Sequence, residues 1–343
     1  MNRASSPPRP RRLLFVAISL VVITSLVILG CFVLSGEDEA PGPPSATSPP
    51  SATPSASDRS TLTLPDDADA VSLEFDTAEK GPVLVALSVT ATFTASTGER
   101  RALYTIMGMS CGSMEGPTNT QSVNGTENLT HQTTRQMTQL LSYDVETPGK
   151  HRCNATVNAP NWDPEYGDAE LSIEAEIRLV APEASGIYYA ATDSEHPIVL
   201  DPGEEVAAVE ESFPLEAGPT GDLSVLSGTH VTTCTITNGS RDQTEANLCT
   251  EPRLDREGST MSTKTVVQQL DGDTVCRTVT ADRSLDSIDH LVHHRLLDSR
   301  TRIDGFLSDP CGDRLRVTHE IANDGPAALV VHRASTKAVA IAH

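Results

Sequence analysis

Residues 143–153 read YDVETPGKHRC, and residues 266–276 read VVQQLDGDTVC. In each stretch a glycine, Gly149 or Gly272, stands four residues before a cysteine, so a turn delivers the cysteine at the start of the next run. Each cysteine also has an earlier counterpart at one spacing: Cys111 and Cys153 are 42 residues apart, and so are Cys234 and Cys276. Further out, Ser185-Gly186 aligns with Cys311-Gly312, and the entrance LPDDADAVSLEF from Leu64 resembles LDPGEEVAAVEESF from Leu200. The offsets drift by about a dozen residues, as loop insertions would produce. The pattern predicts a duplication, with repeat 1 over 61–200 and repeat 2 over 201–343, each a normal size for one β-sandwich.

Period-2 alternation dominates both units. Val83, Val85, Leu87, Val89, Ala91 and Phe93 form one long candidate strand, and Leu171, Ile173, Ala175, Ile177 and Leu179 form another. Turn signals at Thr97-Gly98, Pro148-Gly149, Pro202-Gly203, Asp271-Gly272 and Asp324-Gly325-Pro326 separate such runs, and helical periodicity is scarce. The fold class expected is mainly β, two tandem disulfide-bonded sandwiches.

Two cysteines about 40 residues apart, the second after a Gly-x-x-x-Cys turn, resemble the pair that joins the two sheets of an immunoglobulin-like domain. The places where that family carries a tyrosine before its second cysteine hold His151 and Thr274 here, and Trp162 follows Cys153. The resemblance implies an inter-sheet disulfide in each repeat and uses such as adhesion or ligand display. Fold alone fixes no function. With Cys31 set aside, six cysteines remain, an even number that suits a three-disulfide framework in an oxidising location. Cys111 and Cys153 are the only two in repeat 1; the repeat carries their pairing over to Cys234 and Cys276, which leaves Cys249 with Cys311. That third bond would fasten ANLCTEPRLDREG to FLSDPCGDR, and the recognition face is expected on those two segments.

Leu13–Leu34, LLFVAISLVVITSLVILGCFVL, is long enough as a helix to cross a bilayer of about 30 Å. Four arginines precede it and Glu37, Asp38 and Glu39 follow, which predicts a single-pass anchor with tail 1–12 in the cytosol and everything after residue 34 outside. The alternatives are cleavage near Val33-Leu34-Ser35 and lipidation of Cys31. Residues 35–60, nearly all Pro, Ser, Ala, Thr and acid, read as a disordered, extended linker. Beyond residue 35 stand 47 acidic residues against 21 basic ones, a net charge of −26. Such a surface argues against nucleic acid as a partner and suits an envelope protein or a cationic ligand.

Four patterns could carry chemistry. Gly108-Met109-Ser110-Cys111-Gly112 matches G-x-S-x-G, but SMEGPTNTQ follows where a nucleophile elbow needs a helix. His290, His293 and His294 in DHLVHHR place two imidazoles at i and i+4, a metal-ligand spacing, though no glutamate follows His290 to complete a zincin motif. Asn161, Asp163, Glu165 and Asp168 offer oxygens at Ca²⁺-like spacing, with the glycine of an EF-hand misplaced. Asn124, Asn128, Asn154 and Asn238 begin N-x-Ser/Thr sequons and are expected in exposed loops. No cofactor, metal or catalytic set is assigned. The expectation is an anchored envelope protein that binds or scaffolds without catalysis; the alternative is an envelope enzyme or metal-dependent binding protein using His290, His293 and His294.

Overall fold

The alternating run in the strand Gly81–Thr94 sends Val83, Val85, Leu87, Val89, Ala91 and Phe93 to one side, and none of the six is more than 5% exposed. Leu171, Ile173, Ala175, Ile177 and Leu179 do the same on the neighbouring strand, so the two apolar edges build one continuous face. These strands belong to a computed structural model that describes residues 52–54, 58–64, 71–94, 102–115, 120–130, 133–159, 170–180, 184–191, 197–215, 221–234, 249, 257–281 and 283–343. The expected tail, membrane helix and most of the linker lie outside the described residues. Among the described residues no helix is long and apolar enough to cross a membrane.

The amino-terminal half contains β1 (Ala52–Pro54), β2 (Asp58–Leu64), β3 (Val71–Thr77), β4 (Gly81–Thr94), β5 (Ala102–Ser113), β6 (Gln121–Thr130), β7 (Thr133–Val145), β8 (Gly149–Asn158) and β9 (Glu170–Leu179). The carboxy-terminal half contains β10 (Gly186–Ala190), β11 (Ile198–Leu200), β12 (Glu205–Pro214), β13 (Leu223–Thr233), β14 (Ser259–Asp271), β15 (Thr274–Thr280), β16 (Ser284–Ile288), β17 (His294–Ile303), β18 (Arg314–Asn323) and β19 (Leu329–Ala342). All pairings among the described residues are antiparallel. The first half stacks a β2-β9-β4-β7 sheet on a β3-β8-β5-β6 sheet, and the second stacks β10-β19-β13-β17 on β12-β18-β14-β15. Without the short β1, β11 and β16, each half places its eight strands in the order 1-8-3-6 in one sheet and 2-7-4-5 in the other. That is the jelly-roll arrangement of two interlocked Greek keys, present twice with strand order preserved.

The first half closes around one apolar core that draws on both sheets, including Leu73, Leu87, Phe93, Met107, Leu129, Met137 and Ile177. The second half has two clusters, one around Tyr188, Phe213, Val225 and Val317, the other around Leu200, Val231, Met261 and Ile321.

Several expectations change. Cys111 and Cys153 are bonded as expected, but they face each other on the neighbouring strands β5 and β8 of one sheet, so the bond is not the inter-sheet link of an immunoglobulin-like domain. The other two bonds are Cys234–Cys249 and Cys276–Cys311, not Cys234–Cys276 and Cys249–Cys311. The reason lies in the two turns that looked equivalent. Gly149 (φ 134°) carries the chain from β7 in one sheet to β8 in the other, whereas Gly272 (φ 58°) closes the tight hairpin between the adjacent β14 and β15. Strand order makes β8 the counterpart of β18, not of β15. Cys153 is therefore buried in a central strand, while Cys276 lies exposed on an edge strand and bonds outward to the 305–313 loop. The entrance alignment was sound, because it superposes β3 on β12.

The boundary also moves. β10 and β11 both pair with β19, so residues 186–200 belong to the second half rather than to the end of repeat 1. At the other end β1 pairs with β3 and β2 with β9, so strands begin inside the segment expected to be linker.

Candidate functional site

β17, β13 and β19 turn a row of outward side chains toward the first half, and the junction they form is where the polar chemistry of the molecule gathers. Leu226, Val339 and Ile341 meet Leu84, Ala86, Leu140 and Val180 in an apolar cluster that belongs to neither sandwich. This explains why β4, half-buried at its far end, is buried on both faces at Leu84 and Ala86. Leu296 reaches further and joins the core of the first half. Gly125 makes room for it: a Cβ there would lie 2.9 Å from Leu296 Cδ2 and 1.8 Å from Gln139 Nε2.

Beside Leu296 lies a buried ion network. Glu127, fully buried, accepts hydrogen bonds from Arg295 Nη1 and, at 2.7 Å, from the Leu296 amide; Arg135 Nε stands 3.6 Å from it, and Arg135 Nη2 reaches Asp286 at 2.5 Å. Burial pushes the Glu127 carboxyl up, against the pull of Arg295 and Arg135, which favour its charged form. On the same face Lys337 Nζ donates to the Leu140 carbonyl at 2.8 Å, and burial holds its ammonium down to about 8.

Next to this network opens a cleft of about 340 Å³ between β4, β7 and β9 on one side and β13 and β17 on the other. Ser88, Gln136, Thr138, Arg178, Asp298 and Arg300 supply most of its polar lining, and Leu140 and Leu226 form its apolar floor. The Asp298 carboxyl is pushed up by burial, opposed by a hydrogen bond from Thr138 and by the Arg135 charge. Ser227 and Ser299 share a hydrogen bond of 2.8 Å at the edge. The arrangement offers hydroxyl, amide and guanidinium groups to a polar molecule of a few ring atoms.

At the other end of the junction the histidines converge, though not as expected. His290 lies in a bend before β17, and no helix forms there, so His290 and His294 do not share a helical face. His294 instead opens β17, its amide donating to Asn128 Oδ1 at 2.6 Å, and its ring meets residues far away in sequence. His230 Nε2 on β13 is 3.1 Å from His294 Nδ1, and their rings stack at 5.3 Å. His332, directly opposite His230 on β19, stacks beneath it at 4.3 Å and shares a 3.1 Å hydrogen bond with Thr232. Tyr104 and His293 meet the His294 ring edge-on at 5.1 and 4.9 Å. His230 and His332 were not singled out from sequence. Only the strand pairing aligns them, so no local spacing could have found them. Among the described residues no group of three or more His, Cys, Asp or Glu side chains is placed to hold a metal ion.

The remaining candidates scatter. Ser110 sits inside β5 beside the disulfide-bonded Cys111, so G-x-S-x-G is part of a strand. Asn161, Asp163, Glu165 and Asp168 lie outside the described residues, as does Asn238. The other sequons are on strands rather than in loops: Asn124 and Asn154 are exposed, whereas Asn128 is 6% exposed and occupied by the His294 amide.

No protein-family model matches the chain, and no curated protein matches it. Among solved structures it is similar to the tandem of two CBM22 modules at the N-terminus of Xyn10C from Paenibacillus barcinonensis, with 12% identity, 88% of this chain and 100% of that chain covered, and a TM-score of 0.24. It is also similar to the infectious bursal disease virus Gx strain structure, with 10% identity, 88% and 76% coverage and a TM-score of 0.30. The VP2 subviral particle of that virus gives 12% identity, 88% and 73% coverage and a TM-score of 0.28. At such scores the likenesses say nothing about ligand or assembly.

Proposed function

We propose that this chain is a single-pass envelope protein, held by the helix over residues 13–34 with its N-terminus in the cytosol, whose two jelly rolls bind or scaffold a partner outside the cell without catalysis. The observation that carries the reading is the junction cleft, a polar recess whose walls come from two sandwiches fastened by an apolar cluster and a buried ion network. Three disulfides within the described residues suit an oxidising location. The partner is an envelope protein presenting polar or charged groups to that recess; nucleic acid is disfavoured by the net charge.

Cross-linking in intact cells, followed by capture of the full chain, tests this. The partner set recovered with wild type should shrink when Arg178→Ala and Arg300→Ala are combined, and an unchanged set would remove the cleft from the reading. Protease added to the same cells should shed the ectodomain and leave an anchored fragment; a soluble mature protein starting near Gly36, with no membrane-bound form, would refute the anchor. The second reading, a metal-dependent binding protein or enzyme, draws on the imidazole contact between His230 and His294, and in its enzyme form a defined activity should be lost on substitution of those two residues.

A further inference from the structure

We propose that His230 and His294 form a two-imidazole site for a borderline divalent transition metal ion of the Zn²⁺, Ni²⁺ or Cu²⁺ class. Their facing nitrogens, His230 Nε2 and His294 Nδ1, are 3.1 Å apart. Two imidazole nitrogens bound to one metal at about 2.0–2.1 Å in tetrahedral geometry stand roughly 3.3 Å from one another, so an ion enters with a shift of a few tenths of an ångström. The backbone sets this distance. β13 and β17 are paired, with His294 opposite Thr232 and His230 opposite Leu296, so the two rings lie on one face as diagonal neighbours.

The surroundings hold the rings in place. His332 stacks on His230 at 4.3 Å and is itself tied to Thr232, while Tyr104 from β5 and His293 pack edge-on against His294. Oriented ligands lose little freedom on binding, which is how neighbouring groups raise the affinity of a metal site. An all-imidazole donor pair selects borderline metals over Mg²⁺ and Ca²⁺, which prefer oxygen. The net charge of −26 beyond residue 35 concentrates cations near the molecule. Two protein ligands leave coordination positions to water, so the ion is exchangeable and open to a donor group from a partner.

The full chain in detergent, purified without a histidine tag, is titrated with Cu²⁺ and separately with Zn²⁺. Wild type should take up one saturable equivalent, with a Cu²⁺ electron paramagnetic resonance spectrum showing nitrogen hyperfine coupling. His230→Gln and His294→Gln should each weaken uptake at least tenfold, while His290→Ala leaves it unchanged. Nuclear magnetic resonance of wild type provides a check independent of any variant: Cu²⁺ should broaden the ring signals of Tyr104 and His332 before others. No saturable uptake, uptake that survives both His→Gln changes, or broadening centred elsewhere would overturn the proposal.

Discussion

His319 makes the stability of the second jelly roll depend on pH. It lies on β18 and is 1% exposed, with Nε2 hydrogen-bonded to Thr229 of the facing sheet at 2.8 Å and Nδ1 to Thr265 of the adjacent strand at 2.9 Å. The two hydroxyls can satisfy either protonation state, so the perturbation comes from burial, which lowers the imidazole from 6.5 to about 4. The unfolded chain therefore binds one more proton than the native one between those values, and stability rises with pH across that window at about 1.4 kcal/mol per unit. Stability is fully present above the unfolded value of 6.5, falls as the pH drops, and has lost about 3 kcal/mol on reaching the folded value near 4. Carboxylates titrate at the acid end too, so the measurement is a difference. Urea denaturation of the oxidised chain and of His319→Gln is compared at pH 7 and pH 5. The variant is the less stable at pH 7, and the gap should close by about 2 kcal/mol at pH 5. A gap that stays constant would refute the argument that the native ring is held neutral.

Three further outcomes are expected. Glu127→Ala leaves Arg295 buried with only the Asp286 carboxylate, 3.7 Å from its Nε, and should lower the unfolding free energy by up to about 3–5 kcal/mol, whereas a loss below about 1 kcal/mol would mean that the network is solvated. Lys337, lowered from 10.5 to about 8, destabilises the native state progressively as pH falls from 10.5 to 8 and fully below it, so Lys337→Met should raise the melting temperature at pH 7. That gain should vanish above pH 10.5, where only the lost hydrogen bond to Leu140, worth about 1 kcal/mol, remains. Non-reducing peptide mapping should yield Cys234–Cys249 and Cys276–Cys311 peptides, and Cys276→Ser with Cys311→Ser should lower stability by about 3–4 kcal/mol for a closed span of 35 residues; a Cys234–Cys276 peptide would contradict the strand order.

The β class, the long strands and the presence of two similar units were legible because period-2 alternation and turn glycines are local signals. Val83 to Phe93 and Leu171 to Leu179 have the burial that their alternation implies. The register of the duplication was not legible. A tight hairpin at Gly272 and a crossing between sheets at Gly149 leave the same mark in sequence, a glycine before a cysteine, and the equal 42-residue spacing then joined cysteines that sit in non-equivalent strands. Strand order corrects the match. Counted two residues in from the end of β5 and of β14, the row that holds Cys111 and Cys153 in the first half holds Gln269 and Leu315 in the second. Gln269 does by hydrogen bonds what the cystine does covalently: it donates to Phe306 O and accepts from the Cys311 amide, tying down that end of the sheet. The junction was the least visible of all. Arg178, Arg300, His230 and His332 are ordinary strand residues until pairing and the meeting of the two halves bring them into one junction.

Leu296 and Arg295 are encoded in the second jelly roll yet complete the interior of the first. A duplicated gene segment usually remains a portable module, able to be cut out, fused or shuffled as a unit. Here portability is gone in one direction. A fragment ending after β9 would keep its own strands and disulfide but would expose an unfilled notch at Gly125 and Gln139 and a carboxylate that keeps Arg135, 3.6 Å away, but loses Arg295. Expressed alone, it would behave as an unfinished protein that gathers chaperones or copies of itself at that notch. Recombinant work therefore has to keep both halves on one chain, and natural rearrangements that separate them would be selected against at the level of folding before any partner is involved.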